Sequence, residues 1–508
     1  MFTPVIDCLI LFALISPLIG TVARGKGIGK VLGVFSSIGF LASLYLLYGL
    51  YRDLRLAKNG ILVYWSPLTP LSGSCLKVDM LSIYVSAIFI LVGLMASIFS
   101  IRYMEHDTGH SLYYRLLLAM VAGMVGVTFS GDFFTLFLFW ELMCLTSYVL
   151  VAFRKEFWEP VEAGFKYLIM SSAGSALILF SIALLYGMTG SVNLSSIARV
   201  FAQSGADSSI KVWTYLIFGL LLTGFGIKAS IVPLHTWLPD AHPAAPTPIS
   251  AMLSGVVIKT GVFAMIRIFF TVLYPAPLDW GIIVTISAIF AALTMTVGNV
   301  MALLQNDIKR LLAFSSIAQI GYILLAISVG FVGGIYGLYG LTSGLLHVLN
   351  HAIMKALLFL TAGAIIHAAG TRSLTELTGI GHRMHATAVI LTVGALAISG
   401  VPPFNGFISE LAILLATINA GLMIFAVIML ANILIGFSYY LRLLYILVWQ
   451  APKEGLENVK EAPLSMLLPM GILAFLCILI GVWPHPFIYL ASKAAEAAMN
   501  TVAYVSAI

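Results

Sequence analysis

Residues 211–261 read KVWTYLIFGLLLTGFGIKASIVPLHTWLPDAHPAAPTPISAMLSGVVIKTG. The run contains two apolar stretches, each long enough to cross a bilayer, with Lys228 inside the first and Lys259 inside the second. Pro233 interrupts the first stretch, because proline cannot donate a backbone hydrogen bond and clashes with the preceding turn. Irregular backbone and buried charge at membrane depth are tolerated only where protein or water surrounds them. The run therefore predicts a helical membrane protein with a polar interior.

The composition of the whole chain supports that prediction. Its 508 residues are 61% hydrophobic and only 9% charged, whereas about a quarter of a soluble globular domain is charged. The net charge of +6 is scattered and contains no run of lysine or arginine, which argues against binding to nucleic acid. The four cysteines are far apart and form no Cys-x-x-Cys pair. We therefore expect neither an iron–sulfur cluster nor a structural zinc, and no other cofactor, on this chain.

Fourteen apolar windows of about 20 residues predict an all-α polytopic membrane protein with about 14 transmembrane helices. The windows lie at 4–22, 29–51, 80–102, 112–130, 132–153, 164–187, 211–232, 249–272, 280–304, 310–331, 334–369, 386–415, 420–449 and 465–484. Asp7 and the lack of a basic start indicate that the first window is a retained helix and not a signal peptide. Residues 487–508 are rich in alanine and carry Lys493 and Glu496, which favours an interfacial helix over a fifteenth span.

Two predicted helices are broken by proline. Pro233 breaks the seventh, and Pro402 with Pro403 breaks the twelfth, within the run Ser-Gly-Val-Pro-Pro-Phe-Asn-Gly at 399–406. Broken helices at matching positions indicate two inverted five-helix repeats, formed by helices 4–8 and 9–13. We therefore divide the chain into a three-helix segment, a first repeat, a second repeat, and a C-terminal helix with an interfacial tail. These segments span 1–110, 111–273, 274–450 and 451–508.

Basic residues predict the orientation of the chain in the membrane. Connections after odd-numbered helices hold most of them, including Arg24, Lys26, Lys309 and Arg372. The positive-inside rule places these connections in the cytoplasm and both termini outside. The charge-rich connection at 52–79 opposes this assignment.

Five ionisable side chains lie near the middle of apolar stretches long enough to cross a membrane: Glu141, Lys228, Lys259, Lys355 and Glu410. Each costs about 2.5–3.5 kcal/mol to place at the bilayer centre, so together they cost roughly 12–18 kcal/mol before any pairing. A membrane anchor has no use for such groups, whereas ion transport requires them. We expect Glu141 and Lys228 to pair, because either charge buried alone is costly, and a coupled pair can act as a switch. A carboxyl group hydrogen-bonded for packing is the alternative for Glu141.

The eleventh predicted helix adds two histidines to these groups. His347, His351 and Lys355 follow one another at intervals of four residues and therefore share one helix face. A histidine pair at this spacing can bind zinc, but a lysine one turn further repels a metal and no third ligand is evident. Histidine titrates near neutral pH, so the spacing favours a proton relay. Polar packing remains the alternative.

Four further polar residues surround the seventh helix. Asp240 and His242 lie in a connection stiffened by prolines, which is either an ion entrance or only a rigid turn. Glu162 and Lys166 are one helical turn apart at the start of the sixth helix. They form either an element of ion coupling or a simple surface ion pair.

Five stretches of sequence together resemble a known family. They are Trp-Glu-Leu-Met-Cys-Leu-Thr-Ser-Tyr at 140–148, GIKASIVPLHTWLPDAH at 226–242, QNDIKRLLAFSS at 305–316, HAIMKALLFL at 351–360 and GVPPFNGFISE at 400–410. The chain resembles the antiporter-like proton-translocating subunits of respiratory complex I, a superfamily shared with Mrp-type antiporters and membrane-bound group 4 NiFe hydrogenases. Ser254 stands where the longest such subunits have histidine, and Glu410 where some relatives have lysine. The chain therefore resembles the shorter subunits, and residues 242–248 favour the hydrogenase branch, including sulfur-reducing complexes.

The resemblance implies roles for matching residues. Glu141 and Lys228 would be the switching pair, and Lys259 the central relay lysine. His351 and Lys355 would continue the relay, and Glu410 would be its terminal acid. Redox centres, whether iron–sulfur, NiFe or others, would then lie on partner subunits.

The same resemblance implies the setting of the chain. Its partners would be further antiporter-like membrane subunits, a peripheral redox module and lipid, in the plasma membrane of a prokaryote. The transported ion would be the proton, with exchange for sodium as an option. A subunit of an Mrp-type sodium/proton antiporter and a non-conducting scaffold, whose buried charges form closed ion pairs, remain as alternative functions.

Overall fold

The computed structural model describes residues 3–22, 27–57, 59–65, 75–203 and 208–507. Arg24, Lys26 and part of the 52–79 connection, on which the predicted orientation depends, lie outside these ranges. The described chain is a bundle of long helices with one short β-hairpin.

The helices follow one another with short connections. In chain order they are α1 Pro4–Val22, α2 Ile28–Leu56, α3 Met80–Tyr103, α4 His110–Phe129, α5 Phe133–Val151, α6 Trp158–Thr189, α7 Leu194–Gln203, α8 Ser208–Ala229, α9 Leu238–Ala244, α10 Thr247–Met252, α11 Ile258–Ile266, α12 Trp280–Leu303, α13 Ile308–Gly330, α14 Gly334–Ala369, α15 His385–Ile398, α16 Asn405–Asn419, α17 Met423–Leu444, α18 Leu464–Val482, α19 His485–Met499 and α20 Thr501–Ser506. The π-helical segment Leu253–Val257 joins α10 to α11, and a second, Arg267–Leu273, extends α11, so that Thr247–Leu273 is one continuous rod. A third π-helical segment, Tyr445–Trp449, extends α17.

The predicted polytopic helical fold is confirmed. In the described ranges, 13 helices are long and apolar enough to cross a membrane. The remaining predicted window, 386–415, corresponds to the two shorter apolar helices α15 and α16. The predicted windows and the observed helices agree because a chain in hydrocarbon must form its backbone hydrogen bonds within each apolar segment, which makes the segment helical. The inverted relation of the two five-helix sets and the four segment boundaries stay predictions.

One element is not helical and was not predicted. Leu62–Trp65 and Cys75–Val78 form an antiparallel pair of strands between α2 and α3, so the fold is all-α only in its spanning part. The second strand is buried: Lys77 donates a hydrogen bond to Ser195 Oγ at 2.6 Å and to the carbonyl of Tyr504 at 3.1 Å. The hairpin is thereby tied to α7 and to the C-terminal helix α20.

The C-terminal residues form two short helices. At 15 residues, α19 is too short to span the hydrocarbon, and α20 has only six. A stripe of alanines on α19 (Ala491, Ala494, Ala495 and Ala498) is buried against the bundle, where α14 and α3 pack on it. The alanine-rich composition thus reflects close helix packing.

Both helix interruptions lie next to the prolines. The α8 helix ends at Ala229, four residues before Pro233, and Ser230 adopts a left-handed backbone with φ of 60°. The second interruption separates α15 from α16 and contains Pro402, Pro403 and Gly400, whose φ of 68° suits glycine. Each break places a helix end inside the bundle, close to Lys228 in one case and Glu410 in the other.

Candidate ion-translocation site

Six of the seven predicted relay residues are fully buried by the helix bundle. Lys228 is 1% exposed, Glu410 is 4% exposed, and Lys259, His347, His351 and Lys355 are 0% exposed. Each therefore faces protein and not lipid.

Lys228 has neutral partners. Its ammonium donates to Tyr167 Oη at 2.6 Å and contacts Cys144 Sγ at 3.2 Å. In the described part of the chain, no ion pair within 4.0 Å joins Lys228 to Glu141. The predicted pair is therefore not in direct contact, and its coupling stays a prediction.

Glu141 faces outward because of its register on α5. Leu138 and Leu145, three residues before and four after it, are each 55% exposed and mark the outer stripe of the helix. Glu141 itself is half-buried, and its Oε1 is buried without a hydrogen-bond partner. Cys144, one turn further along α5, points inward to Lys228. Glu141 and the Lys228 partner Cys144 thus lie one turn apart on the same helix.

The rod that carries Lys259 packs directly on α8. A Cβ at Gly261, two residues after Lys259, would lie 2.9 Å from the backbone nitrogen of Ala229. Only glycine permits this approach, which brings the helices of Lys228 and Lys259 together at their lysine-bearing turns. The Lys259 ammonium donates to the backbone carbonyl of Ser254, within the preceding π-helical segment. A π-segment frees carbonyl groups from the regular ladder, and such segments are frequent at functional sites.

Adjacent serines of α13 link the two inner lysines. Ser254 Oγ and Ser316 Oγ are 2.7 Å apart. Next to Ser316, Ser315 accepts a hydrogen bond from the Lys355 ammonium, which also donates to the Leu312 carbonyl at 2.9 Å. Ser254 thereby contacts Lys259 through its carbonyl and Ser316 through its hydroxyl.

Beyond Lys355, a glutamine connects His347 to Glu410. Gln319 on α13 lies between His347 on α14 and Glu410 on α16. His347 Nε2 is 2.7 Å from Gln319 Oε1, and Gln319 Nε2 is 3.4 Å from Glu410 Oε1. Because the amide oxygen can only accept, Nε2 carries the proton and Nδ1 accepts from Ser409 Oγ at 2.9 Å. Gln319 thus contacts both His347 and Glu410.

Sequence reasoning missed Gln319 and Ser409. Gln319 follows Ser315 and Ser316 by one helical turn in a largely apolar span, and that spacing could have identified it. Ser409 precedes Glu410 in one of the quoted motifs but carries no distinctive signal of its own.

Two buried imidazoles have no protein partner for either ring nitrogen. His351 stacks on His347 with ring centroids 6.1 Å apart, and His242 stacks on Phe359 at 4.7 Å. Both rings therefore keep hydrogen-bonding capacity that no described protein atom uses. His242 therefore lies inside the bundle and not on a surface loop.

Asp240, two residues before His242, lines a surface cavity of about 260 Å³. Lys166 bridges Glu162 at 2.9 Å and Asp240 at 3.1 Å, and Arg310 approaches Asp240 at 3.6 Å. All of the predicted entry residues except His242 thus meet in one ion-pair network. The network ties the short helix α9 to α6 and α13.

In the ranges that the structure describes, no group of three or more His, Cys, Asp or Glu side chains is arranged to hold a metal ion.

A helical membrane protein that buries lysines, histidines and a glutamate, several of them hydrogen-bonded to serine or glutamine side chains, has the features of an ion translocator. Its sequence matches the family model described as "NADH:quinone oxidoreductase/Mrp antiporter, TM" over residues 130–436. Residues 74–114 match the model of the N-terminus of complex I chain 5. The chain belongs to this family, as the resemblance predicted, and is an antiporter-like membrane subunit.

The relatives of the chain include enzyme-complex subunits and an antiporter. It is 32% identical over 479 residues to F(420)H(2) dehydrogenase subunit N of Methanosarcina mazei, covering 92% of each chain. A chain of the membrane-bound sulfane sulfur reductase, an archaeal respiratory complex, aligns with a TM-score of 0.88 and 29% identity, covering 99% of this chain and 98% of the other. A chain of the Mrp complex from Dietzia aligns with a TM-score of 0.82 and 25% identity, covering 99% of both.

Proposed function

We propose that this chain translocates protons through a buried line of side chains, in a respiratory membrane complex driven by electron transfer. The line would run from Lys228 through Lys259, Lys355, His351 and His347 to Glu410. The observation that carries the proposal is that these charges are not closed in ion pairs. In the described residues, no salt bridge within 4.0 Å involves Lys228, Lys259, Lys355 or Glu410.

The scaffold alternative is disfavoured by the same observation. A scaffold would neutralise each buried charge with a partner, because an unpaired charge in the interior is costly. Here Lys355 has only a serine hydroxyl, a tyrosine hydroxyl and a backbone carbonyl as partners. Such contacts allow a proton to arrive and leave without breaking an ion pair.

The energy for transport must come from outside the chain. Moving one proton against 100 mV takes about 2.3 kcal/mol, and redox centres that could supply it would lie on partner subunits. The position of Glu141 argues for a neighbouring membrane subunit, because a carboxyl on the outer stripe of α5 would otherwise face lipid. A change of charge beside Glu141 would alter the field at Lys228 through one turn of α5.

The ion entrance would be the cavity at Asp240, with His242 as the buried step towards Lys259. The positive-inside rule puts this face in the cytoplasm and both termini outside, in the plasma membrane of a prokaryote. Sodium exchange, as in Mrp-type antiporters, is less well supported, because the identity to the Mrp chain is 25% against 32% to the dehydrogenase subunit.

The test uses the complete complex, purified with its redox module and sealed into vesicles. Electron donor and acceptor are supplied, and proton uptake is followed with a pH-sensitive dye while electron transfer is measured in parallel. We expect Lys228→Ala and Lys355→Ala to abolish uptake in assembled complexes. Lys493→Ala is the matched control, because Lys493 lies on α19 with its side chain 42% exposed.

Undiminished uptake per electron in an assembled Lys228→Ala complex would refute the proposal. Uptake that requires a sodium gradient and no electron donor would establish the antiporter alternative instead.

A further inference from the structure

The Lys228 ammonium is enclosed by aromatic rings and a thiol. It lies 4.7 Å from the ring centre of Tyr167 and 5.7 Å from that of Tyr148. Ring faces attract a cation without neutralising it. Together with the hydrogen bonds to Tyr167 Oη and Cys144 Sγ, these rings form what we call the Lys228 cage: Cys144, Tyr148 and Tyr167.

Tyr167 is the best-fixed member of the cage. It is 0% exposed, and its ring stacks on Trp237 with centroids 4.0 Å apart and an interplanar angle of 6°. Its hydroxyl oxygen also lies 3.1 Å from Ser147 Oγ. With its ring and its hydroxyl both held, Tyr167 presents one acceptor at a defined position to Lys228.

Trp237 joins the cage to the helix break. Its indole Nε1 donates to the carbonyl of Ile227 at 2.8 Å, which satisfies a carbonyl in the last turn of α8. Trp237 immediately precedes α9, the short helix that carries Asp240 and His242. The position of Lys228 is therefore mechanically connected to the proposed ion entrance.

Cys144 is the member of the cage on the helix of Glu141. Its Sγ is 3.7 Å from Ser171 Oγ on α6 as well as 3.2 Å from Lys228. A thiol is a weak hydrogen-bond acceptor, so it holds the ammonium less firmly than a carboxylate would. A shift of α5 could thus release Lys228 without breaking a buried ion pair.

We propose that Tyr167 and Cys144 are positioning residues for ion translocation, which hold Lys228 in a neutral cage so that a charge outside α5 can control its proton. This inference rests on the proposed function. A carboxylate in direct contact would lock the lysine, whereas the cage leaves it responsive to Glu141. Tyr167 sets the position of the ammonium, and Cys144 connects that position to α5.

The test compares variants that remove one polar atom with variants that remove the packing. Tyr167→Phe deletes only the hydroxyl and keeps the stack on Trp237. We expect proton uptake per electron to fall about tenfold, the loss expected for one hydrogen bond to a charged group. Cys144→Ala should lower uptake to a smaller extent, and Cys144→Ser should restore it because a hydroxyl replaces the thiol. The matched control is Tyr84→Phe, which removes a buried hydroxyl bonded to the carbonyl of Leu345, away from the cage.

All variants are measured in the complete complex, with assembly checked by native electrophoresis. If Tyr167→Phe stays within twofold of the wild type and only Tyr167→Leu fails, the residue is structural and the inference is wrong. If Lys228→Ala itself pumps normally, the proposed function fails. An inactive Lys228→Ala with a normal Tyr167→Phe refutes only the cage.

Discussion

The buried ion pair between Asp79 and Arg267 offers a stringent test of the packing described above. Asp79 begins α3, and Arg267 opens the π-helical segment at the end of the rod that carries Lys259. Arg267 Nη2 lies 2.7 Å from Asp79 Oδ1, and each side chain is 2% exposed. The pair therefore fixes one end of the Lys259 rod against α3.

The magnitude follows from the contacts that are lost. In Asp79→Ala, the Arg267 guanidinium stays buried without a counter-charge, which costs about 3–5 kcal/mol. Asp79 Oδ1 also accepts from the backbone nitrogen of Ser82 at 2.9 Å, and losing this helix cap costs about 1 kcal/mol. We therefore expect the free energy of unfolding to fall by about 4–6 kcal/mol. Asp79→Asn keeps an oxygen for the cap and should cost about 3–5 kcal/mol.

The double variant Asp79→Asn/Arg267→Met separates the two contributions. With both charges gone, the cost of an unpaired buried charge disappears, and stability should return to within about 2 kcal/mol of the wild type. The free energy of unfolding is measured by titrating detergent-solubilised protein with SDS and following tryptophan fluorescence. Lys493→Met, which removes an exposed pair with Glu496, should cost no more than about 1 kcal/mol. An Asp79→Asn protein as stable as the wild type, or a double variant no more stable than Asp79→Asn, would refute the reasoning.

Two further predictions concern the relay and the hairpin. Gln319→Leu should interrupt the connection between His347 and Glu410 and lower proton uptake by the complex at least tenfold, with electron transfer retained. The control Gln305→Leu, on the exposed surface, should leave uptake unchanged. Equal uptake in both variants would exclude Gln319 from the path. Burial lowers the pKa of Lys77, in the β-hairpin, to about 8 from an unfolded value near 10.5. Between these two pKa values the unfolded state binds more protons than the folded state, so the free energy of unfolding should rise from pH 8 to pH 10.5 by up to about 3 kcal/mol. SDS unfolding of Lys77→Met should show a smaller rise over the same pH range. An identical rise would contradict the lowered pKa of Lys77.

The spanning helices were predictable because the bilayer acts on the chain locally. Hydrocarbon about 30 Å thick demands some 20 apolar residues in succession, and this requirement is visible in the sequence wherever the helix packs. For the same reason Lys228, Lys259, Lys355 and Glu410 could be recognised as functional candidates without knowing their neighbours. The prolines next to Lys228 and Glu410 could be recognised in the same way, because the geometry of the proline ring is local.

The local signals were weaker elsewhere. The strands of the hairpin have four residues each, too few for an alternating pattern to stand out. Arg267 was not predicted as a buried charge, although a single arginine in an apolar run was a usable signal. The exposed stripe that carries Glu141 could not be assigned either, since an α5 helix that is apolar on nearly every side gives no indication of which face is covered.

By itself, the sequence determined that this is a polytopic helical membrane protein, that several ionisable groups lie within its spans, and where two of its helices break. Only the tertiary structure decided what those groups touch: Tyr167 and Cys144 at Lys228, adjacent serines of α13 between the inner lysines, and Gln319 between His347 and Glu410. The partners of Lys228 stand 61 and 84 residues away along the chain. Contacts of this kind depend on how each helix is rotated and on which neighbour it packs against. Hydropathy specifies neither, because lipid and protein interior are equally apolar surroundings for most of each helix.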